Sequence, residues 1–356
     1  MVIAESNPTP APTPAMLGYR WPAEWEPHTA TWLAWPHNPN TWPGAHVEAI
    51  EQFVAMVRLL ALYEPVHLLA GPAEVWPFAE RRLGHVANVT LYPIATNDAW
   101  CRDYGPIFLI RPGAVEPLAA IDGRFNSWGG KYPPFDRDDL VTREITQRLG
   151  CPRFDLPHIF EGGAIEGNGQ GMILSTTTCL PNPNRNPLLT TSDWDRIFAA
   201  QLGARKVVWL TGGELPGDDT DGHVDQLARF VGPRTVVVAV EPDTSLSHAA
   251  ALRGNAAQLA RTTDQDGEPL EVIELPLPRP QYLDEMRLPA SYCNFYIANG
   301  VVLVPQFGDP ADRVAIERLR TFFPDRDVLG VESSRLVVGL GSFHCLTQQQ
   351  PAIPSN

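Results

Sequence analysis

Hydrophobic and polar positions alternate along the chain in a recurring order. The apolar run Thr29-Ala30-Thr31-Trp32-Leu33-Ala34-Trp35 predicts a buried strand. Val47, Ile50, Val54, Val57 and Ala61 then fall on one face of a helix, and a second strand is expected over residues 65–70. Helical spacing returns at about 138–149, 192–203, 248–262 and 311–322. Turn formers separate short apolar runs at Gly167-Asn168-Gly169, Gly232-Pro233-Arg234 and Asn299-Gly300, which predicts hairpins. After a helix comes another strand, as in Lys206-Val207-Val208-Trp209-Leu210 or Leu270-Glu271-Val272-Ile273. The order strand, turn, strand, helix, strand thus repeats about five times with a period of roughly 60 residues, which points to radial repetition closed by pairing of the chain ends. Residues 337–345 are expected to be the spare strand that completes the first unit. A doubly wound parallel sheet is the competing fold, but it needs crossovers where this chain has hairpins.

Residues 1–16 are proline-rich and lack apolar periodicity, so a disordered tail is expected there, followed by a single α/β domain over 17–356. Tryptophans crowd the start of that domain, at Trp21, Trp25, Trp32, Trp35 and Trp42, and most of them are read as core or rim packing. The formal charge of -14 disfavours nucleic acid and anionic membrane as partners and is compatible with a cationic substrate. A homo-oligomer, a dimer, is the one macromolecular assembly left open. Five widely spaced cysteines without a CxxC pair favour neither a disulfide framework nor structural zinc. No apolar run approaches the roughly 18 residues of a membrane span and no secretory leader pattern opens the chain, so a cytoplasmic protein is expected.

Five stretches carry more polar groups than loops require. They are Asn97 to Pro106, including Trp100 and Asp103; Phe160-Glu161-Gly162-Gly163; Asp219 to Asp225, including His223; Ser291-Tyr292-Cys293-Asn294; and Gly339-Leu340-Gly341-Ser342-Phe343-His344-Cys345. Each of the first four opens a repeat, and the fifth closes the ring. Radial repetition therefore brings Asp103, Glu161, His223, Asn294 and Cys345 toward one axis. His223 and Asp225, two residues apart, share a face if the segment is extended. Three carboxylates in a closed pocket call for a cation, and a guanidinium held by paired carboxylates, with Trp100 over its face or stem, matches best. Cys345, flanked by glycines, is the candidate nucleophile.

Taken singly, each residue has a plain reading. Cys345 is a core thiol, His223 is structural or half of a metal site, Asp103 is an ion-pair partner of Arg102, Glu161-Gly162-Gly163 is a turn, and Asn294 is a local turn group. No second histidine stands at ligand spacing from His223, so no metal is assigned. The ordered co-occurrence of these residues favours the catalytic reading. Cys101, Cys151, Cys179 and Cys293 are taken as structural, and the Trp128-Gly129-Gly130 and Asn184-Arg185-Asn186 segments are substrate loops or scaffold loops.

The motifs Trp100-Cys101-Arg102-Asp103-Tyr104-Gly105-Pro106, Phe125-Asn126-Ser127-Trp128-Gly129-Gly130-Lys131, Glu161-Gly162-Gly163, Asn182-Pro183-Asn184-Arg185-Asn186-Pro187, Gly222-His223-Val224-Asp225 and His344-Cys345-Leu346-Thr347-Gln348-Gln349 resemble those of the agmatine deiminase and bacterial peptidylarginine-deiminase-type family, part of the guanidino-group-modifying superfamily. The resemblance implies a five-bladed α/β propeller of pseudo-fivefold ββαβ repeats and a cofactor-free hydrolase of linear amidines. It further implies Cys345 as nucleophile, His223 as general acid and base, Asp103 and Asp225 as guanidinium-binding carboxylates and Glu161 as the group orienting His223. Trp100 and Asn294 are carried as substrate-binding residues. Agmatine would give N-carbamoylputrescine and ammonia, a step toward putrescine. The enzymatic alternative is a deiminase of arginine or peptidyl-arginine, with Arg124 meeting a substrate carboxylate; a non-catalytic guanidine-binding protein is the third reading. Leu340 interrupts what is commonly a run of three glycines in the family and is expected to reshape the pocket wall.

Overall fold

In the computed structural model, residues 11–211 and 215–354 are described, so most of the proline-rich tail lies outside the described residues. Within its last part, Ala15 N–H already donates to Ala200 O, which ties the chain down slightly before Tyr19.

The strands are β1 (His28–Ala34), β2 (Val66–Gly71), β3 (Val89–Ala95), β4 (Ile107–Ile110), β5 (Leu118–Arg124), β6 (Arg153–Ile159), β7 (Glu166–Gly167), β8 (Met172–Thr176), β9 (Lys206–Leu210), β10 (Ala228–Phe230), β11 (Thr235–Val240), β12 (Glu271–Pro276), β13 (Gln281–Leu283), β14 (Met286–Leu288), β15 (Tyr296–Ala298), β16 (Val301–Gln306), β17 (Asp327–Glu332) and β18 (Thr347–Pro351). Among the described residues they form five sheets and one separate hairpin, β13-β14. Four sheets share one plan, a first strand antiparallel to a central strand that is parallel to a third: β4-β5-β6, β7-β8-β9, β10-β11-β12 and β15-β16-β17. The remaining sheet, β18-β1-β2-β3, keeps the plan and adds β3. Its antiparallel first strand comes from the far end of the chain.

A helix joins the central strand to its parallel neighbour in each sheet: His46–Leu60, Val141–Leu149, Thr191–Leu202, Ala249–Ala260 and Ala311–Arg320. These five are where the periodicity places them, whereas helix Trp76–Leu83 and the β13-β14 hairpin are too short to stand out in the pattern, and strand β3 is interrupted by Pro93. The β11 run Thr-Val-Val-Val-Ala-Val illustrates the central strands, since β-branched residues pack on both faces and only an all-apolar run survives there. Helix Thr191–Leu202 starts where Thr190 and Asp193 form a reciprocal capping box and stops at Gly203, φ 72°. Its Trp194 and Phe198 are buried against Phe160.

One expected element is displaced. The strand that completes the first sheet is β18 (Thr347–Pro351), while 337–345 folds into a 3-10 turn, Leu336–Gly339, and a short helix, Phe343–Leu346. The glycines and a left-handed Leu340, φ 70°, break extended geometry there. No helix among the described residues is long and apolar enough to cross a membrane.

Candidate active site

The first strand of every sheet is preceded by one short helical turn, and each turn carries one of the five polar stretches. The turns are Cys101–Tyr104 before β4, Gly162–Ala164 before β7, Val224–Gln226 before β10, Tyr292–Asn294 before β15 and Phe343–Leu346 before β18. His223 and Asp225 therefore do not lie in an extended segment, as their spacing implied. They flank the start of a 3-10 turn, yet both face Gly163, where an added Cβ would stand 2.5 Å from His223 Nδ1, 2.7 Å from Asp103 Oδ1 and 3.2 Å from Asp225 Oδ2. Only glycine fits at that point of convergence.

Cys345 is buried, with its Sγ 3.0 Å from Asn294 Nδ2 and 3.4 Å from Asp225 Oδ2. Asn294 Oδ1 accepts from the Ser342 and Cys345 backbone N–H groups at 3.1 and 3.3 Å, so this side chain fixes the thiol from both sides. His223 Nε2 lies 2.7 Å from Glu161 Oε2, and its Nδ1, 3.6 Å from Asp103 Oδ1, has no hydrogen-bond partner. Asp103 accepts from Gly163 N–H and from Trp128 Nε1–H, both at 3.0 Å. Asp225 Oδ2 meets His344 Nδ1 at 2.7 Å, while Asp225 Oδ1 is buried and bare.

The electrostatics follow from burial and charge crowding. Burial pushes the Asp103 carboxyl up and Asp225 and Glu161 add to it, so that despite His223 it reaches about 6. Burial opposes protonation of His223, but Asp103, Cys179 and Glu161 together hold the ring well above its usual range. Burial, then Asp225 and Asp103, keep the Cys345 thiol well above an ordinary cysteine. Asp225 and Glu161 stay below the usual carboxylate range, because burial is outweighed by His344, His223 and Arg229 together for the first and by His223 with Arg185 for the second.

A cavity of about 680 Å³ opens onto Cys345, Asp103, Trp100, Trp128, Leu340 and Asp98. Trp100 lies tilted against Trp42, ring centroids 5.5 Å apart, and packs over Gly339 and Gly341, where a Cβ would come within 2.8 and 2.5 Å of its ring. Glu161, His223, Asp225 and Asn294 are absent from the lining and lie directly beneath its Asp103–Cys345 end, Asp225 Oδ2 3.4 Å from Cys345 Sγ and His223 Nδ1 3.6 Å from Asp103 Oδ1. Asn294, expected at the substrate, serves the thiol and Asp225 instead. Arg124 does not line the cavity either, and its Nη1 lies 3.8 Å from Asp139 Oδ2.

Several contributors escaped the residue-by-residue reading. Arg185 meets Glu161 through Nε at 2.9 Å and Nη2 at 3.1 Å and also pairs with Asp221; its Asn-Pro-Asn-Arg-Asn-Pro setting was the available signal. Trp128 sits in a run of left-handed residues, Ser127 to Gly130, that turns its indole onto Asp103. Cys179, taken as structural, approaches Glu161 Oε2 at 3.7 Å. Glu161, Cys179 and His223 offer three ligand atoms within 4.8 Å of one another. The Arg185 guanidinium already occupies both Glu161 oxygens, so the charge compensation a metal would supply is provided by that side chain. Arg102 pairs with Glu24 at 3.3 Å rather than with Asp103.

Comparison with known proteins gives this geometry a context. Residues 20–351 match the Porphyromonas-type peptidyl-arginine deiminase family. The chain belongs to that family. It is 38% identical to the agmatine deiminase of Medicago truncatula, covering 96% of this chain and 98% of the relative, and 35% identical to that of Pseudomonas aeruginosa, covering 98% and 99%. The solved structure of Enterococcus faecalis agmatine deiminase superposes with a TM-score of 0.90 at 31% identity over 96% of this chain and 98% of that one. A C. jejuni agmatine deiminase with substrate bound superposes with a TM-score of 0.85 at 29% identity, over 93% of this chain and 96% of that one. The family resemblance read from the motifs is thus borne out, and the chain is a mixed α/β single-domain protein of the deiminase type.

Proposed function

We propose that this protein is an agmatine deiminase that hydrolyses its substrate through a covalent amidino-cysteine intermediate, in a single domain whose five sheets are the blades of an α/β propeller. The observation that carries the reading is the convergence of the Cys345 thiol, the His223–Glu161 pair and the carboxylates of Asp103 and Asp225 around one cavity end, a set that suits a guanidinium better than a neutral carbonyl. Support for the blades comes from the shared strand plan and from the five turns that each give the site a residue.

The bare Asp225 Oδ1 and the Asp103 carboxylate take the guanidinium N–H groups, and Trp100 covers the apolar stem. The bound cation reverses the field that keeps Cys345 protonated, so the thiol releases its proton to solvent and the thiolate attacks the central guanidinium carbon. A sulfur–carbon bond forms as a carbon–nitrogen bond breaks, and His223 gives its proton to the departing ammonia. The neutral ring, steadied by Glu161, then takes a proton from water as the oxygen adds to the amidino carbon. Collapse breaks the sulfur–carbon bond, the protonated product returns a proton to the Cys345 thiolate, and N-carbamoylputrescine is left; the balance is agmatine plus water to product plus ammonia. No step calls on a cofactor.

Ammonia release by the purified protein is measured with agmatine, free arginine and a peptide ending in arginine. Turnover of agmatine above the other two is expected, because Arg124 is engaged with Asp139 away from the cavity and offers nothing to a carboxylate. Cys345→Ala should lose turnover by at least about a thousandfold while still binding agmatine in calorimetry. Turnover of no guanidine at all would refute the enzyme, and a normally active Cys345→Ala would refute the nucleophile.

A further inference from the structure

Behind Asp225 lies a buried ionic chain that the reaction itself does not use. His344 Nδ1 stands 2.7 Å from Asp225 Oδ2, and its Nε2 stands 2.9 Å from Glu24 Oε2. Each ring nitrogen thus faces a carboxylate oxygen at hydrogen-bond distance. Glu24, from the loop before β1, also accepts from Arg229 Nη2 at 2.8 Å, Arg102 Nη2 at 3.3 Å and the Ile297 N–H at 2.8 Å. Arg229 Nε continues to Glu166 Oε2 at 2.8 Å. All six side chains are nearly or fully buried, and three carboxylates face two guanidiniums and the imidazole. Losing one partner would leave charge buried and unpaired, so the chain resists rearrangement.

We infer that Glu24 and His344 are positioning residues that pin Asp225 through its Oδ2, leaving its unpartnered Oδ1 free to accept from the substrate guanidinium. This rests on the deiminase reading and names the residues that prepare its binding carboxylate. Neither residue touches the cavity or the reacting atoms. The site thereby depends on the N-terminal loop, which is distant in sequence from every catalytic candidate.

The test exploits the two ring nitrogens. Asparagine at 344 places its amide near the position of Nδ1, and glutamine near that of Nε2. Steady-state ammonia release from agmatine is compared for the full-length wild type, E24Q, H344N, H344Q and the E24Q/H344N double variant. H344Q, which cuts the link to Asp225, is expected to raise KM by about tenfold or more with a smaller change in kcat. H344N cuts only the outer link and should raise KM less than H344Q; E24Q also removes the charge facing Arg229 and Arg102, so it should raise KM at least as much as H344N, with the double variant no worse than E24Q alone. Unchanged KM in all variants, or losses of kcat that track the unfolding midpoint without the asparagine–glutamine ranking, would overturn the inference while leaving the deiminase intact. A wild type that turns over no guanidine removes both. If E24Q does not fold, the ranking of H344N against H344Q decides alone.

Discussion

At the scale of single residues, two departures from ordinary backbone and charge carry consequences. Leu340 lines the cavity at φ 70°, ψ 13°, between two glycines that admit the Trp100 ring. A branched side chain in the left-handed region is strained by roughly 1 kcal/mol, and strain of this kind persists where a site needs it. Leu340→Gly relieves that strain, but the extra freedom of an unfolded glycine, about 0.5–1 kcal/mol, and the lost packing offset it, so stability to urea should stay within about 1 kcal/mol of the parent while KM for agmatine rises as the apolar wall is lost. A loss of about 2 kcal/mol or more, as for an unstrained core leucine, would refute the strain. The second departure is Asp103, lifted by burial and its acidic neighbours to about 6. Its folded value exceeds the unfolded one, so the stability it contributes is full below the ordinary aspartate range and is lost as pH rises through about 6. Binding a cation needs the ionised form, so kcat/KM for agmatine should climb along an acid limb near pH 6, and the limb in kcat should lie lower, because bound guanidinium favours the carboxylate. Coincident limbs in the two profiles would argue against Asp103 as a substrate carboxylate.

At the scale of elements, the recurrent device is a single helical turn feeding the first strand of each sheet. Such a turn redirects the chain within three to four residues and leaves its polar side chains at the strand entrance, where sheet pairing cannot absorb them. The terminal strand β18 is held in the first sheet by its ladder to β1 and by side chains, notably Trp32 Nε1 donating to Gln350 Oε1 at 2.9 Å and Gln348 Nε2 donating to Pro106 O at 2.9 Å. The Phe343–Leu346 turn, and so Cys345, is anchored by that strand. Gln350→Ala strands a buried indole N–H, for which about 1–3 kcal/mol is expected in urea unfolding, together with some loss of kcat as the thiol loosens. Stability within 0.3 kcal/mol of the parent, a margin of roughly the error in such measurements, would show that the ladder alone secures the strand.

At the scale of the whole molecule, a formal charge of -14 surrounds a site that takes a cation. The field draws a positive substrate inward and is screened by salt. Between about 20 mM and 500 mM sodium chloride, kcat/KM for agmatine should fall several-fold, chiefly through KM. A flat profile would place the attraction wholly in the local carboxylates. The ionic chain from Glu24 to Asp225 belongs to this scale too, since it ties the N-terminal loop, the β10 strand and the C-terminal turn into one buried unit.

How much of this was legible beforehand depended on the range over which each feature is encoded. Helix periodicity and hairpin turns are local, so the five connecting helices, the paired strands and the recurring order were readable from 3.6- and 2-residue spacing. Cys345, His223, Glu161, Asp103 and Asp225 were readable because each sits among glycines and polar residues that a core does not need. Trp128, Arg185, His344 and Glu24 were not assigned roles from the residues themselves, because an indole, a guanidinium, an imidazole or a carboxylate acquires its function here from a partner 24 to 320 positions away. Residue types and local patterns thus determine which groups exist and which turns present them. The tertiary structure alone decides which ones meet, because the energy of a buried charge is set by its neighbours in space. That is why Arg102 faces Glu24, Asn294 holds the thiol and one oxygen of Asp225 is left free.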